Sequence, residues 1–126
     1  MPAVAVSDAT RKGLADAEQA FSDRAQVIGL GPAFAEFGLP DAVNMGGPAN
    51  VNYVVGAKAI AALVGQGQPA TGSSVSWNCE TCIVASSGDL GVSIGYIRSN
   101  ADPKAPPSPF FTIWRKVAGG WKYIAE

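Results

Sequence analysis

The last third of the chain carries four runs of alternating or β-branched residues, separated by short turn sequences. The runs are Trp77–Ala85, Leu90–Arg98, Phe110–Val117 and Trp121–Ala125. The breaks between them are Ser87-Gly88-Asp89, a proline-rich stretch at 99–109, and Gly119-Gly120. Strands that lie this close in sequence pair as antiparallel neighbours. The pattern therefore predicts a four-stranded meander, and the residues before Trp77 must cover one face of it.

An apolar stripe near the start of the chain predicts a long amphipathic helix. Ser7 or Asp8 is a suitable N-cap, and Gly29 and Gly31 offer a stop. The apolar positions recur at spacings of three and four residues, as one helix face requires, and they are Leu14, Ala17, Phe21, Ala25 and Ile28.

Shorter elements are predicted between this helix and the meander. A second helix begins at Pro32 and ends at Gly38, because proline suits the first helical turn. Leu39–Met45 and Val51–Val55 are short extended segments around the turn Gly46-Gly47-Pro48. Lys58–Val64 is a third helix, and 66–74 is a loop.

The second and third meander strands have unusual faces. One face of the second strand carries Leu90, Val92, Ile94 and Tyr96, whereas the other carries only Gly91, Ser93 and Gly95. Glycines at this spacing indicate strong curvature or a close neighbour. The third strand is partly apolar on both faces, which predicts either an oligomer contact or a ligand cavity.

Composition narrows the function classes. A chain of 126 residues is expected to form one domain, and 48% hydrophobic against 15% charged residues indicates a folded core. A net charge of −1 with scattered basic residues argues against nucleic-acid or membrane partners. The chain has no histidine, which removes the commonest general base and the usual zinc ligand. The start at Met1 fits either a cytoplasmic protein or one whose export signal has been removed.

Four local sequences resemble motifs of the NTF2-like (SnoaL-like) superfamily, and the last two resemble its DUF4440-type members in particular. They occur in the family's order: Glu18-Gln19-Ala20-Phe21, Gly56-Ala57-Lys58-Ala59-Ile60, Ser87-Gly88-Asp89-Leu90-Gly91, and Thr112–Lys116 followed by Gly120-Trp121-Lys122. The resemblance implies an α+β fold, a cone-shaped roll in which N-terminal helices pack on a curved antiparallel sheet. It also implies a pocket between helix and sheet, and homodimers are common in the family. Its activities range from isomerases and cyclases to binding modules, so the fold does not define the reaction.

The candidate catalytic residues are Asp41, Tyr53 and Tyr96. Asp41 lies near the position where isomerases of this superfamily carry a catalytic carboxylate, and an apolar environment would raise its pKa. Either tyrosine could donate a hydrogen bond to a ligand carbonyl. The alternative is structural: Asp41 next to Pro40 orders a turn, and the tyrosines bury their rings in the core.

The candidate ligand-binding residues are large apolar side chains that either line a pocket or fill the core. They are Phe34, Phe37, Met45, Trp77, Ile94 and Trp114. Glu18 either reaches the sheet or lies in solvent, and we expect the solvent position.

Cys79 and Cys82 form a Cys-Glu-Thr-Cys sequence inside the first predicted meander strand. In a regular strand, positions three apart lie on opposite faces about 10 Å from each other. A disulfide needs Cα atoms within about 7 Å. A bridge would therefore require a bulge or turn at 78–81, and two thiols without histidine make a poor metal site.

Together these features predict a protein that binds a small apolar or amphipathic molecule in an apolar cavity, without a metal or cofactor and as a homodimer. The alternative is a proton-transfer enzyme of the ketosteroid-isomerase or polyketide-cyclase type, with Asp41 as base. The position of Asp41 relative to the cavity distinguishes the two.

Overall fold

The computed structural model describes residues 6–46 and 52–126. Its helices are α1 (Asp8–Ile28), α2 (Leu30–Phe37) and α3 (Ala57–Val64). Its strands are β1 (Gly38–Asn44), β2 (Val54–Val55), β3 (Val75–Val84), β4 (Leu90–Ser99), β5 (Ser108–Val117) and β6 (Gly120–Ala125). Part of the predicted turn at 46–48, and the first residue of the predicted segment Val51–Val55, fall outside the described residues.

Helix α1 begins and ends where the sequence predicts. The Ser7 hydroxyl accepts a hydrogen bond from the Thr10 backbone N–H at 3.2 Å, which satisfies one of the unpaired donors of the first turn. Gly29 ends the helix with a φ of 106°, a conformation that favours glycine. Helix α2 starts directly afterwards at Leu30, two residues before the predicted start, so Pro32 lies in its first turn, where a backbone donor is not required.

The strands form one open sheet in the order β2-β1-β6-β5-β4-β3. Strands β3 to β6 are the predicted antiparallel meander. Strand β1 pairs with β6 in parallel, so the sheet is mixed, whereas an antiparallel sheet was predicted. The helices pack on this sheet, and the prediction of a cone-shaped α+β roll of the NTF2-like kind is confirmed.

The small-residue face of β4 is the inner face. Gly91, Ser93 and Gly95 are buried, whereas Leu90, Ile94 and Tyr96 on the other face are exposed. A Cβ atom added to Gly91 would lie 2.7 Å from a methyl carbon of Leu14, so glycine allows α1 to approach the strand closely. The predicted close neighbour of this face is therefore helix α1.

Aromatic rings pack around Phe21 at the centre of the core. Phe34 and Trp77 meet the Phe21 ring edge to face, with centroids 4.8 and 5.0 Å away. Tyr123 stacks on it at 5.7 Å and donates its hydroxyl to the Phe34 carbonyl at 2.6 Å. The buried phenol therefore has the polar partner that such a group needs.

Strand β3 contains a bulge between Cys79 and Thr81. Cys79 pairs with Gly95 and Thr81 pairs with Ile94, so Glu80 is an extra residue in the strand. A Cβ atom at Gly95 would collide with the Asn78 carbonyl, and glycine therefore makes room for the bulge. The bulge that a bridge between Cys79 and Cys82 would require is therefore present.

Within the residues that the structure describes, no helix combines the length and the apolar character needed to cross a bilayer.

Candidate functional site

A cavity of about 420 Å³ lies between the helices and the inner face of the sheet. Its walls are mainly apolar, and two carboxylic acids interrupt them. The lining residues are Glu18, Phe21, Leu30, Phe34, Val64, Val75, Trp77, Ile97, Pro109, Phe110, Phe111, Thr112 and Glu126. A volume of this size falls in the range of small-molecule sites in proteins.

The Glu18 side chain is buried at the cavity wall, with 1% of its surface exposed. Its Oε1 accepts the indole N–H of Trp77 at 2.7 Å, and its Oε2 accepts the indole N–H of Trp114 at 2.9 Å. The Ser93 hydroxyl also donates to Oε2 at 2.5 Å. These donors come from β3, β5 and β4, so one carboxylate fastens helix α1 to three strands.

The charge state of Glu18 reflects two opposing effects. Burial raises the pKa of the Glu18 carboxyl, and the hydrogen bonds from Ser93, Trp114 and Trp77 oppose that rise without cancelling it. An ionised carboxylate can accept about four hydrogen bonds, of which three are occupied here. One acceptor position is therefore left at the edge of the cavity.

Two further polar side chains of α1 extend this contact along the edge strand β3. Ser22 accepts the backbone N–H of Trp77 at 3.0 Å, and Gln26 donates to the Val75 carbonyl at 3.1 Å. With Glu18 they recur every four residues and form one row on the helix. The row fixes α1 against β3 and sets the position of Trp77.

Glu126 supplies the second carboxyl group of the cavity. Its backbone is anchored to β1, where its N–H donates to the Val43 carbonyl at 3.1 Å and its carbonyl accepts the Met45 N–H at 3.2 Å. Burial, and then the nearby charge of Glu18, raise the pKa of Glu126 to about 8, although a 3.4 Å hydrogen bond from Asn44 opposes the shift. At neutral pH this group is therefore largely a neutral acid that can donate a hydrogen bond.

Two of the predicted ligand-binding residues, Phe34 and Trp77, line the cavity. Phe37 and Trp114 lie in the core instead: the Phe37 ring stacks on Phe21 at 4.9 Å, and Trp114 is fully buried. Both are among the aromatic residues that pack around Phe21, so neither reaches the cavity wall.

The remaining predicted site residues lie at the surface. Asp41 is exposed, because Ala42 and Asn44 face inward and strand alternation turns Asp41 outward. Tyr96 and Ile94 lie on the outer face of β4 for the same reason. Tyr53 is 62% exposed, and Met45, just after β1, is 65% exposed. The inward position of Asp41 and its contact with a tyrosine, on which the proton-transfer alternative depends, are not observed.

The polar residues that do meet the cavity were not predicted as site residues. Glu18 was expected in solvent, and this expectation is wrong. The sequence does place Glu18 on the apolar stripe of helix α1. The spacings are four, three and four residues along Leu14, Glu18, Phe21 and Ala25. Glu126 carried no comparable signal, since its burial depends on the parallel pairing of β1 with β6. Among the described residues, no group of three metal-ligating side chains is placed to hold an ion.

The chain is similar in structure to several solved proteins. An NTF2-like protein of unknown function from Methylobacillus flagellatus superposes with a TM-score of 0.69 at 14% identity, covering 98% of this chain and 93% of that one. A cystatin-like fold protein from Burkholderia xenovorans gives a TM-score of 0.61 at 19% identity, covering 94% and 89%. A ketosteroid isomerase-like protein from Erwinia carotovora atroseptica gives 0.55 at 22%, covering 93% and 90%.

These similarities define the fold as NTF2-like, and at such identities they define the fold alone. No protein-family model and no curated protein matches the sequence.

Replacing Glu18 by alanine tests its structural role. The Glu18→Ala variant removes the acceptor of three buried donors, so we expect a loss of roughly 3–5 kcal/mol in the free energy of unfolding. The Trp77 indole then has no partner, whereas the Trp114 indole keeps Ser93 and the Ser93 hydroxyl keeps the Thr112 carbonyl at 3.5 Å. Urea unfolding measures this loss. Glu36→Ala, which removes only a half-exposed ion pair with Arg24, is the control and should cost less than about 1 kcal/mol. Equal losses in the two variants would contradict the assignment.

The raised pKa of Glu126 predicts a pH-dependent stability. Since the folded pKa of about 8 lies above the ordinary value of 4.5, the folded state binds the proton more tightly. This contribution to stability is complete below about pH 4.5 and is lost as the pH rises through 8. Glu126→Gln should therefore unfold like the parent at pH 5 but be more stable at pH 9, by roughly 1–3 kcal/mol after allowance for partial exposure.

Thermal or urea unfolding across this pH range is the measurement, with the exposed Glu80→Gln variant as control. If Glu126→Gln followed the same pH profile as the parent, Glu126 would not be protonated in the folded protein at neutral pH.

Proposed function

We propose that the protein binds a small, mostly apolar molecule in the cavity between its helices and sheet, and that it does so without catalysing a reaction. The observation that carries the proposal is the cavity of about 420 Å³, whose apolar walls are interrupted by the carboxyl groups of Glu18 and Glu126. Apolar walls with a few polar groups are typical of ligand sites, in which the polar groups orient the ligand.

The two carboxyl groups favour an amphipathic ligand. Neutral Glu126 can donate a hydrogen bond to a ligand oxygen, and the remaining acceptor position of Glu18 can take a hydroxyl or amine proton. A permanently anionic ligand is disfavoured, because its charge would lose its hydration in an apolar cavity beside two carboxyl groups. The ligand class that fits is therefore a neutral or basic molecule with an apolar body.

Proton transfer by Asp41 has less support than binding. Asp41, Tyr53 and Tyr96 lie outside the cavity, and three donors already engage the oxygens of Glu18. The chain has no histidine, so the commonest general base is absent. Within the superfamily, the last two of the four motifs given above resemble DUF4440-type members, and we propose that narrower relationship on the sequence alone.

A variant that fills the cavity tests the binding proposal. Val64 ends helix α3 on the cavity wall, so Val64→Phe would occupy part of the space that a ligand needs. With Nile red, a neutral apolar dye, as probe, we expect saturable binding to the parent and a loss of about tenfold in affinity for Val64→Phe, equivalent to about 1.4 kcal/mol. Dye emission and quenching of tryptophan fluorescence measure it.

The control for this test carries the same substitution at the surface. Val27 on α1 is 66% exposed, and Val27→Phe should bind the dye as the parent does. Equal affinity in all three proteins, or an equal loss in both variants, would place the dye outside the cavity and remove the support for the proposal.

We further propose that two copies of the chain associate through the outer face of the sheet. Exposed apolar side chains lie next to one another there: Ile94 of β4 pairs with Phe111 of β5, and they are 37% and 57% exposed. Ile83, 61% exposed, continues the patch on β3, and Leu90, 42% exposed, continues it along β4. A monomer seldom leaves so continuous an apolar face in water.

A second copy of the chain is favoured as the partner because the outer face of the sheet carries both the exposed Phe111 ring and a hollow that could receive such a ring. A shallow hollow lined by Val92, Ile94 and Pro109 lies beside the Phe111 ring. Two such faces related by a two-fold axis can each insert an aromatic ring into the other.

Introducing a charged side chain into the outer face of the sheet tests whether two copies associate through it. Ile94→Lys would bury an unpaired ammonium group, and we expect the dimer dissociation constant to rise at least about a hundredfold. Sedimentation velocity over a range of concentrations measures it. Val27→Lys, at an exposed position on α1, should leave the association unchanged. A parent protein that stays monomeric at high concentration, or an Ile94→Lys variant that associates as the parent does, would refute this arrangement.

A further inference from the structure

The bulge in β3 brings the thiols of Cys79 and Cys82 into contact. Their sulfur atoms are 3.0 Å apart, and the Cys79 thiol also lies 3.3 Å from the Thr81 carbonyl. In a regular strand the two side chains would point to opposite faces. The extra residue Glu80 reverses this alternation, so Cys79, opposite Gly95, and Cys82, opposite Ser93, both lie on the inner face.

The surroundings of the pair allow it to react. Both cysteines are partly exposed, so a small reagent can reach them. Strand β3 is the last strand in the sheet order, and a bulge on an edge strand can adjust without breaking a second ladder of hydrogen bonds. A buried pair inside a central strand would have neither property.

We propose that Cys79 and Cys82 form a reversible thiol–disulfide couple that exchanges with small disulfides such as oxidised glutathione. The Cys79 thiolate attacks one sulfur of the oxidant, and its S–S bond breaks to release one thiol. Cys82 then gives up its proton and attacks the Cys79 sulfur, which releases the second thiol. The protein loses two hydrogen atoms and two electrons, and the oxidant is reduced to two thiols.

The order of the two attacks follows from burial. Desolvation, and then the contact with Cys79, raise the pKa of the Cys82 thiol to about 12, so this thiol stays protonated at neutral pH. The thiolate is the nucleophile in exchange. Cys79 is therefore the attacking residue, and Cys82 resolves the mixed disulfide.

The pair is also connected to the cavity described above. Trp77, two residues before Cys79 on the same face of β3, donates to Glu18 and lines the cavity. Closing the disulfide requires the sulfurs to approach by about 1 Å, which draws the bulge together next to Trp77.

Glutathione redox buffers test the couple on the whole protein. We expect the native protein to reach an intramolecular disulfide, seen as a loss of two free thiols and of two hydrogen atoms in mass without added glutathione. We expect its equilibrium constant to exceed that of the same chain in urea by at least about tenfold, or about 30 mV. A native constant equal to or below the value in urea would overturn the proposal, because the fold would then not favour the bridge.

A relocated thiol is the matched control. Ile83 points to the outer face and is 61% exposed, so the variant C82S/I83C keeps two cysteines on β3 but places them on opposite faces. At a protein concentration low enough to keep the chain monomeric, it should form mixed disulfides with glutathione in the native state and an intramolecular bridge only in urea. If the C82S/I83C variant formed the native bridge as readily as the parent, the bulge would have no role.

The single variant Cys82→Ser tests the order of attack. It should stop at one mixed disulfide on Cys79, and a failure of Cys79 to react would also overturn the mechanism.

Discussion

The structure depends on the hydrogen bonds that the Glu18 carboxylate accepts from the sheet. A curved sheet offers a helix few polar anchors, because its ladder already satisfies the backbone groups. Two tryptophans and one serine on the inner face supply three donors, and Glu18 accepts all of them. A carboxylate this deeply buried would be strongly destabilising without such partners. With them, it fixes both the position and the rotation of α1 on the strands.

That fixed helix explains why a cavity lies beside a tightly packed core. On one side of Glu18, Gly91 of β4 lets α1 approach the sheet, and the aromatic residues around Phe21 fill the space. On the other side, α2 and α3 are held by their own contacts, such as the Tyr123 hydroxyl on the Phe34 carbonyl. Between these two anchors, the helices and the inner face of the sheet leave the cavity, so its carboxyl groups lie at the boundary of the core.

Most of the fold follows from the sequence, because hydrophobic period and turn chemistry are local properties. The stripe from Leu14 to Ile28 and the glycine breaks predict α1 and the meander to within a few residues. The parallel pairing of β1 with β6 depends on contacts between residues about 85 positions apart, which no local pattern encodes. For this reason the sequence left open on which side of the sheet Asp41 lies, and Glu126 was missed.

The candidate site was only partly predictable, and the reason lies in the choice between the two faces of β4. The sequence shows a face of small residues and a face of large ones, and large apolar residues are ordinarily expected inside. In this protein the close approach of α1 outweighs that tendency. Helix α1 lies close enough for Glu18 to reach Ser93 and both indoles, and this leaves no room for Ile94 or Tyr96 on the inner face. The large residues therefore turn outward, where they form an exposed apolar surface. One buried carboxyl group thus determines which residues face the core and which lie on the outer face of the sheet.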